Sequence, residues 1–190
     1  MGLVIAAAAT VVIALVVSYN RLANMRNVVR AAWSDVDVQL KRRAELISNL
    51  VETTKGYSGF EQQTLALVTR ARSTVAGSDM SPQERAGAEA KLAARLQQML
   101  AVVENYPELK ASVQFLRLQE ELSATETNIA NARRYYNAAV RDYNTLVESF
   151  PSGLMASIFA FRKAEFFELD SAGEAVTPSA MMDGESGGPE

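Results

Sequence analysis

Neither histidine nor cysteine occurs in this 190-residue chain. Their absence removes imidazole bases, thiolate nucleophiles, disulfides and ordinary zinc sites. It also removes the ferritin-like di-iron bundle in its usual form, whose Glu-x-x-His ligand pairs cannot be written without His. No glycine spacing matches a GxxxxGK or GxGxxG phosphate loop. No cofactor is therefore expected. Basic residues are missing from Ala164 onward, where seven acidic ones fall, leaving 19 basic and 15 acidic residues before that point. Such a balance is too mild for a nucleic-acid partner, and no basic stripe is interleaved with aromatics. The acidic end, rich in Gly, Pro and Ser from residue 171 to 190, is expected to lack fixed structure.

Proline and glycine are also absent between Gly2 and Gly56, so nothing interrupts a helix there. The run Leu3 to Val17 is uncharged and almost wholly aliphatic. Leu3, Val4, Ile5, Val11, Val12, Ile13, Leu15, Val16 and Val17 would face lipid, with Tyr19 at the interface and Arg21 snorkelling. Extended through Tyr19, the span is about 25 Å, short against a hydrocarbon core of roughly 30 Å. The charge-free start, and a helical pattern that continues past Arg21, favour an uncleaved anchor over a cleaved signal peptide. The basic residues that follow, Arg21, Arg26, Arg30 and Lys41 to Arg43, predict an outward N-terminus and a cytoplasmic C-terminal side.

Beyond the anchor, apolar residues three or four apart predict four helices. The first carries Leu22, Met25, Val29, Trp33, Val36, Leu40, Ile47 and Leu50 and should end in a left-handed cap at Gly56. The second presents Phe60, Thr64, Leu67, Ala71 and Val75. Ser81-Pro82-Gln83-Glu84 supplies an N-cap, Pro at the first helical position and a capping Glu for the third. Its stripe is Leu92, Leu96, Met99, Val103 and Tyr106. The fourth, from about Leu109 to Ser149, has a seam of Phe115, Leu118, Leu122, Thr125, Ile129, Ala132, Tyr136, Ala139, Tyr143 and Leu146 in alternating steps of three and four. The expected fold is all-α: a transmembrane helix continuous with a long antiparallel, up-down-up-down four-helix bundle, then the acidic tail. Residues 1–20 form the anchor, 21–150 the bundle, 151–170 an apolar post-bundle segment and 171–190 the tail.

Three sets of residues stand out. Arg43, Thr125, Glu126, Arg133 and Asn137 lie on or near seam positions and are candidates for an interhelical polar network that fixes register. Leu154, Met155, Ile158, Phe159, Phe161, Phe166 and Phe167 either cover the open end of the bundle or meet lipid or another protomer. The carboxylates Asp35, Asp37, Glu120, Glu121 and Glu126 read as solvated faces or salt-bridge partners rather than an acid–base pair.

Several longer motifs resemble those of the bacterial LemA family. They include Tyr19-Asn20, Met25-Arg26-Asn27, Ala32-Trp33-Ser34, Asp37-Val38-Gln39-Leu40-Lys41-Arg42-Arg43, Asn49-Leu50-Val51-Glu52 and Lys55-Gly56-Tyr57. In the second half they are Tyr106-Pro107-Glu108-Leu109-Lys110-Ala111, Tyr136-Asn137, Tyr143-Asn144 and Phe150-Pro151. Ser48 stands where that family usually has Pro, and Phe60 where it usually has His. The first change should leave the helix straighter; the second removes a position for a metal or proton role. The resemblance implies a single-pass bacterial membrane protein with a helical domain and no known catalytic activity. Members include a magnetosome-membrane protein and proteins encoded near a membrane zinc metallopeptidase. The expectation is a membrane-anchored, self-associating scaffold in contact with the lipid bilayer, or an adaptor for a membrane protein such as a metallopeptidase.

Overall fold

A 54-residue helix, α1 (Gly2–Lys55), dominates the computed structural model, which describes residues 1–57, 59–77 and 80–168. At 1.5 Å per residue it is about 80 Å long. It passes Ser48 without a break, the hydroxyl donating to the Ala44 carbonyl at 2.9 Å. The other helices are α2 (Gln62–Ala76), α3 (Pro82–Val103), α4 (Pro107–Lys110), α5 (Val113–Glu148) and α6 (Ser152–Ile158). No strand occurs among the described residues, so the fold is all-α.

Contacts between named residues give the helix directions. Arg43 meets Glu126 and Trp33 meets Tyr136, so α5 runs opposite to α1. Arg43 meets Glu89 and Asp37 meets Arg85, so α3 runs with α1. Two apolar clusters result. The distal one joins Ile47 and Leu50 to Val68, Val75, Leu92, Met99, Leu109 and Phe115. The membrane-proximal one joins Leu22, Val36 and Leu40 to Val140, Tyr143, Met155, Phe161 and Phe167.

Local signals explain several boundaries and correct others. Ser81 and Glu84 form the expected reciprocal capping box, with Pro82 opening α3. Gly56 is not left-handed: its φ is −67°, because the Tyr57 amide bonds back to Thr54 and continues the turn. The positive φ belongs to Gly59, at 87°. The α2 core face is Leu65, Val68 and Val75, while Thr64, Leu67 and Ala71 are half-buried flanks. The expected fourth helix is split. Pro107 starts one turn that drives Leu109 into the core, Ser112 is extended, and α5 begins at Val113. Helix α3 stops at Val103 rather than Tyr106, whose ring stacks near Phe60 and whose hydroxyl donates to the Gly59 carbonyl at 2.7 Å.

The α5 seam is buried from Phe115 to Tyr143, with Ala132 and Leu146 half-buried. The acidic segment 171–190 lies outside the described residues.

Candidate functional site

Between the two clusters lies a patch of buried charge. Arg43 is the exception in an otherwise exposed Lys41-Arg42-Arg43 run, because its helix position points inward between Leu40 and Ile47. Its Nη1 donates to Glu89 Oε2 at 3.3 Å and its Nε lies 2.9 Å from Glu126 Oε1. Arg85 extends the patch, 3.7 Å from Glu89 and 3.6 Å from Asp37. Burial pushes the Glu89 carboxyl above its ordinary value, against the pull of Arg43 and Arg85 and with a small push from Glu126. Sequence reasoning missed Glu89. The signal was present, since Glu89 sits three residues before Leu92 on the stripe that α3 buries.

Of the five polar residues singled out, Arg43 and Glu126 meet directly. The Thr125 hydroxyl, though buried, donates within its own helix to Glu121 at 2.8 Å. Arg133 is exposed beside a groove of about 830 Å³ that Arg43, Glu89, Glu126, Arg134 and Arg141 also line. Asn137 serves a different connection. After α6 the chain turns at Ala160, whose φ is 54°, and runs back along α5 as a strap. The Asn137 amide receives the Phe167 N–H at 2.9 Å and donates to the Phe167 carbonyl at 3.4 Å, with Glu168 Oε1 at 3.0 Å. One heptad later, Asn144 receives the Ala164 N–H at 2.8 Å and donates to its carbonyl at 2.9 Å.

The neighbouring tyrosines complete the ladder. Tyr136 donates to the Glu165 carbonyl at 2.8 Å and Tyr143 to that of Arg162 at 2.9 Å. Seven helical residues rise about 10.5 Å and three extended residues reach about 10 Å, so a Tyr-Asn pair repeated every heptad matches the strap every third residue. Burial, and secondarily Glu165, pushes the Tyr136 hydroxyl up to about 12, so it remains a donor well into alkaline solution.

The post-bundle residues divide. Met155, Phe161 and Phe167 are buried in the membrane-proximal cluster, whereas Leu154, Ile158, Phe159 and Phe166 remain exposed. Helix α6 packs on both α1 and α5. The Tyr19 ring lies 4.8 Å from Phe159 and 5.8 Å from Phe161, and the Arg26 guanidinium is 4.8 Å from the Phe161 ring centre. Gly153 allows the close approach, since a β-carbon there would stand 3.1 Å from the Val147 carbonyl.

The start of α1 is long and apolar enough to cross a membrane. Leu3, Val4, Ile5, Val11, Val12, Ile13, Val16, Val17 and Tyr19 are exposed, while Leu15 is half-buried. The Thr10 and Ser18 hydroxyls in this stretch are satisfied within the helix, donating to the Ala6 and Ala14 carbonyls. Among the described residues, no three carboxylates gather as a metal-holding group.

The chain is similar in sequence to known proteins. The magnetosome protein MamQ 2 of Paramagnetospirillum magneticum is 26% identical over 196 residues, covering 89% of this chain and 72% of the relative. The magnetosome protein MamQ of Magnetospirillum gryphiswaldense is 22% identical with the same coverage. Protein LemA of Metamycoplasma hominis is 26% identical over 157 residues, 80% of this chain and 72% of its own length. The sequence model of the LemA family matches residues 32–179, which includes α1 from Ala32 onward, all of α5 and the Tyr-Asn ladder. This chain therefore belongs to the LemA family.

Proposed function

We propose that this chain is a non-enzymatic structural scaffold, held in the bacterial inner membrane by a single N-terminal pass and self-associating there. The observation that carries this reading is the continuity of α1, whose exposed apolar start and buried later stripe belong to one uninterrupted helix. A rod of this kind sets both the distance and the direction of the helical domain relative to a bilayer. The N-terminus lies outside and the domain in the cytoplasm on this reading, following the basic residues after the anchor. Residues 1–20 serve as anchor, 21–150 as the presented up-down-up-down bundle, and 151–170 as its membrane-side closure, with the acidic tail beyond.

A second reading is an adaptor for a membrane protein, a metallopeptidase being one such partner. The groove beside Arg133, Arg134 and Arg141 favours it, because an open, charged cleft suits a peptide segment. Detergent extraction followed by mass measurement separates the two. A large, uniform homo-assembly is expected for the scaffold; a monomer that enriches one protein on crosslinking selects the adaptor. Hydrolysis of an ester, peptide or nucleotide that disappears with one carboxylate would refute both. Protease protection on inverted vesicles tests the orientation.

A further inference from the structure

We propose that α6 is a second membrane element, whose outer face enters the acyl-chain region of the leaflet crossed by the Val12 to Tyr19 part of α1. The inference rests on the membrane-anchor reading and adds a contact to it. From Ser149 through Phe161 no residue is charged. The inner face of α6, Met155 and Ala156, is buried against protein, and the outer residues Leu154, Ile158 and Phe159 are 53%, 64% and 53% exposed. What covers that outer face follows from its height along α1. Val12, Leu15, Val16 and Tyr19 join Met155 and Phe159 around a cleft of about 280 Å³ with no polar side chain except the Tyr19 hydroxyl.

Val12 to Tyr19 is about 10 Å of helix, and it forms the last two turns of the apolar span. If those turns lie in hydrocarbon, α6 lies beside them. An uncharged apolar face at that depth meets acyl chains, and the cleft between the helices is filled by them, since it offers water too few polar partners. Polar groups resume just beyond. Arg21, Arg26 and Arg30 on α1, with Arg162 and Lys163 after α6, form an exposed basic collar at headgroup level. Lys163 pairs with Glu148, closing the neck of the uncharged segment. In cross-section the protein would be one helix in the leaflet that Leu3 enters and two in the leaflet that holds α6.

The lack of cysteine in the native chain makes the test direct. Full-length L154C and I158C, with V11C as the reference inside the span and K91C as the aqueous reference, are nitroxide-labelled and reconstituted in vesicles of phosphatidylethanolamine and phosphatidylglycerol. Power saturation then compares access to oxygen and to a water-soluble nickel chelate. The labels at 154 and 158 are expected to match V11C, with an oxygen-to-nickel ratio several-fold above that of K91C. Nickel access at 154 and 158 while V11C stays protected would overturn the proposal and leave the anchor intact. Nickel access at V11C would overturn the anchor reading and this one with it. Spin–spin broadening between copies labelled at 158 would identify the face as a protein interface and likewise overturn the lipid contact.

Discussion

At the scale of single residues, Arg43 and Glu89 carry the greatest electrostatic consequence. Both side chains are almost fully enclosed, and removing one leaves the other charge buried. R43M is expected to destabilise the fold by about 3–5 kcal/mol, and R43M/E89M by clearly less, because a buried pair replaced as a unit by apolar groups loses little. Chemical denaturation of the two variants in detergent measures the difference. Glu126 compensates Arg43 only in part, since its side chain is half open to water. Glu89 also gives a pH signature. The folded protein holds its proton more tightly than the unfolded chain does, so stability should fall as pH rises from the ordinary value of 4.5 through the raised pKa, then level off. E89Q should abolish that slope; an unchanged slope in E89Q would assign it to another group.

At the scale of elements, the strap and α5 form one unit. The paired Tyr-Asn steps hold the chain by its peptide groups, so strap register depends on the spacing of α5 and not on strap side chains alone. N137L is expected to cost about 1–3 kcal/mol, by leaving the Phe167 peptide without its partners. The specific readout is hydrogen exchange: the Phe167 amide should speed up in N137L while the Ala164 amide, held by Asn144, stays protected. Equal loss at both sites would mean that the strap detaches as a whole. Both Tyr-Asn pairs stand in the sequence seven residues apart, but a seam reading assigns Tyr136 and Tyr143 to the core, expects Asn137 in an interhelical polar network and gives Asn144 no role. Their role became visible only with residues 162–168 laid beside them.

For the whole molecule, α1 and α5 run through both apolar clusters, so the clusters should melt together. Leu22 in the membrane-proximal cluster and Leu92 in the distal one are both essentially without solvent exposure. L22A and L92A should each lower stability by about 2–5 kcal/mol and shift the same single transition. Circular dichroism melts in detergent would reveal two separable transitions if the clusters were independent. The buried ion patch at their junction is the place to look for such a split.

Helix content, the continuity of α1, the capping box at Ser81 and most of the α5 seam were legible in the amino-acid sequence, because each depends on local spacing or on residues within one turn. The apolar character of residues 3–17 and of residues 154–161 was equally plain. Tertiary structure decided what spacing leaves degenerate. It selected Leu65 and Val68 as the buried face of α2, and it split the fourth helix at Ser112 so that Leu109 could enter the core. It turned Met155, Phe161 and Phe167 inward while leaving Leu154, Ile158 and Phe159 outside. It also brought Glu89 to Arg43 across 46 residues of chain. Those outcomes depend on which surfaces meet, and periodicity along one helix carries no information about the helix that will face it.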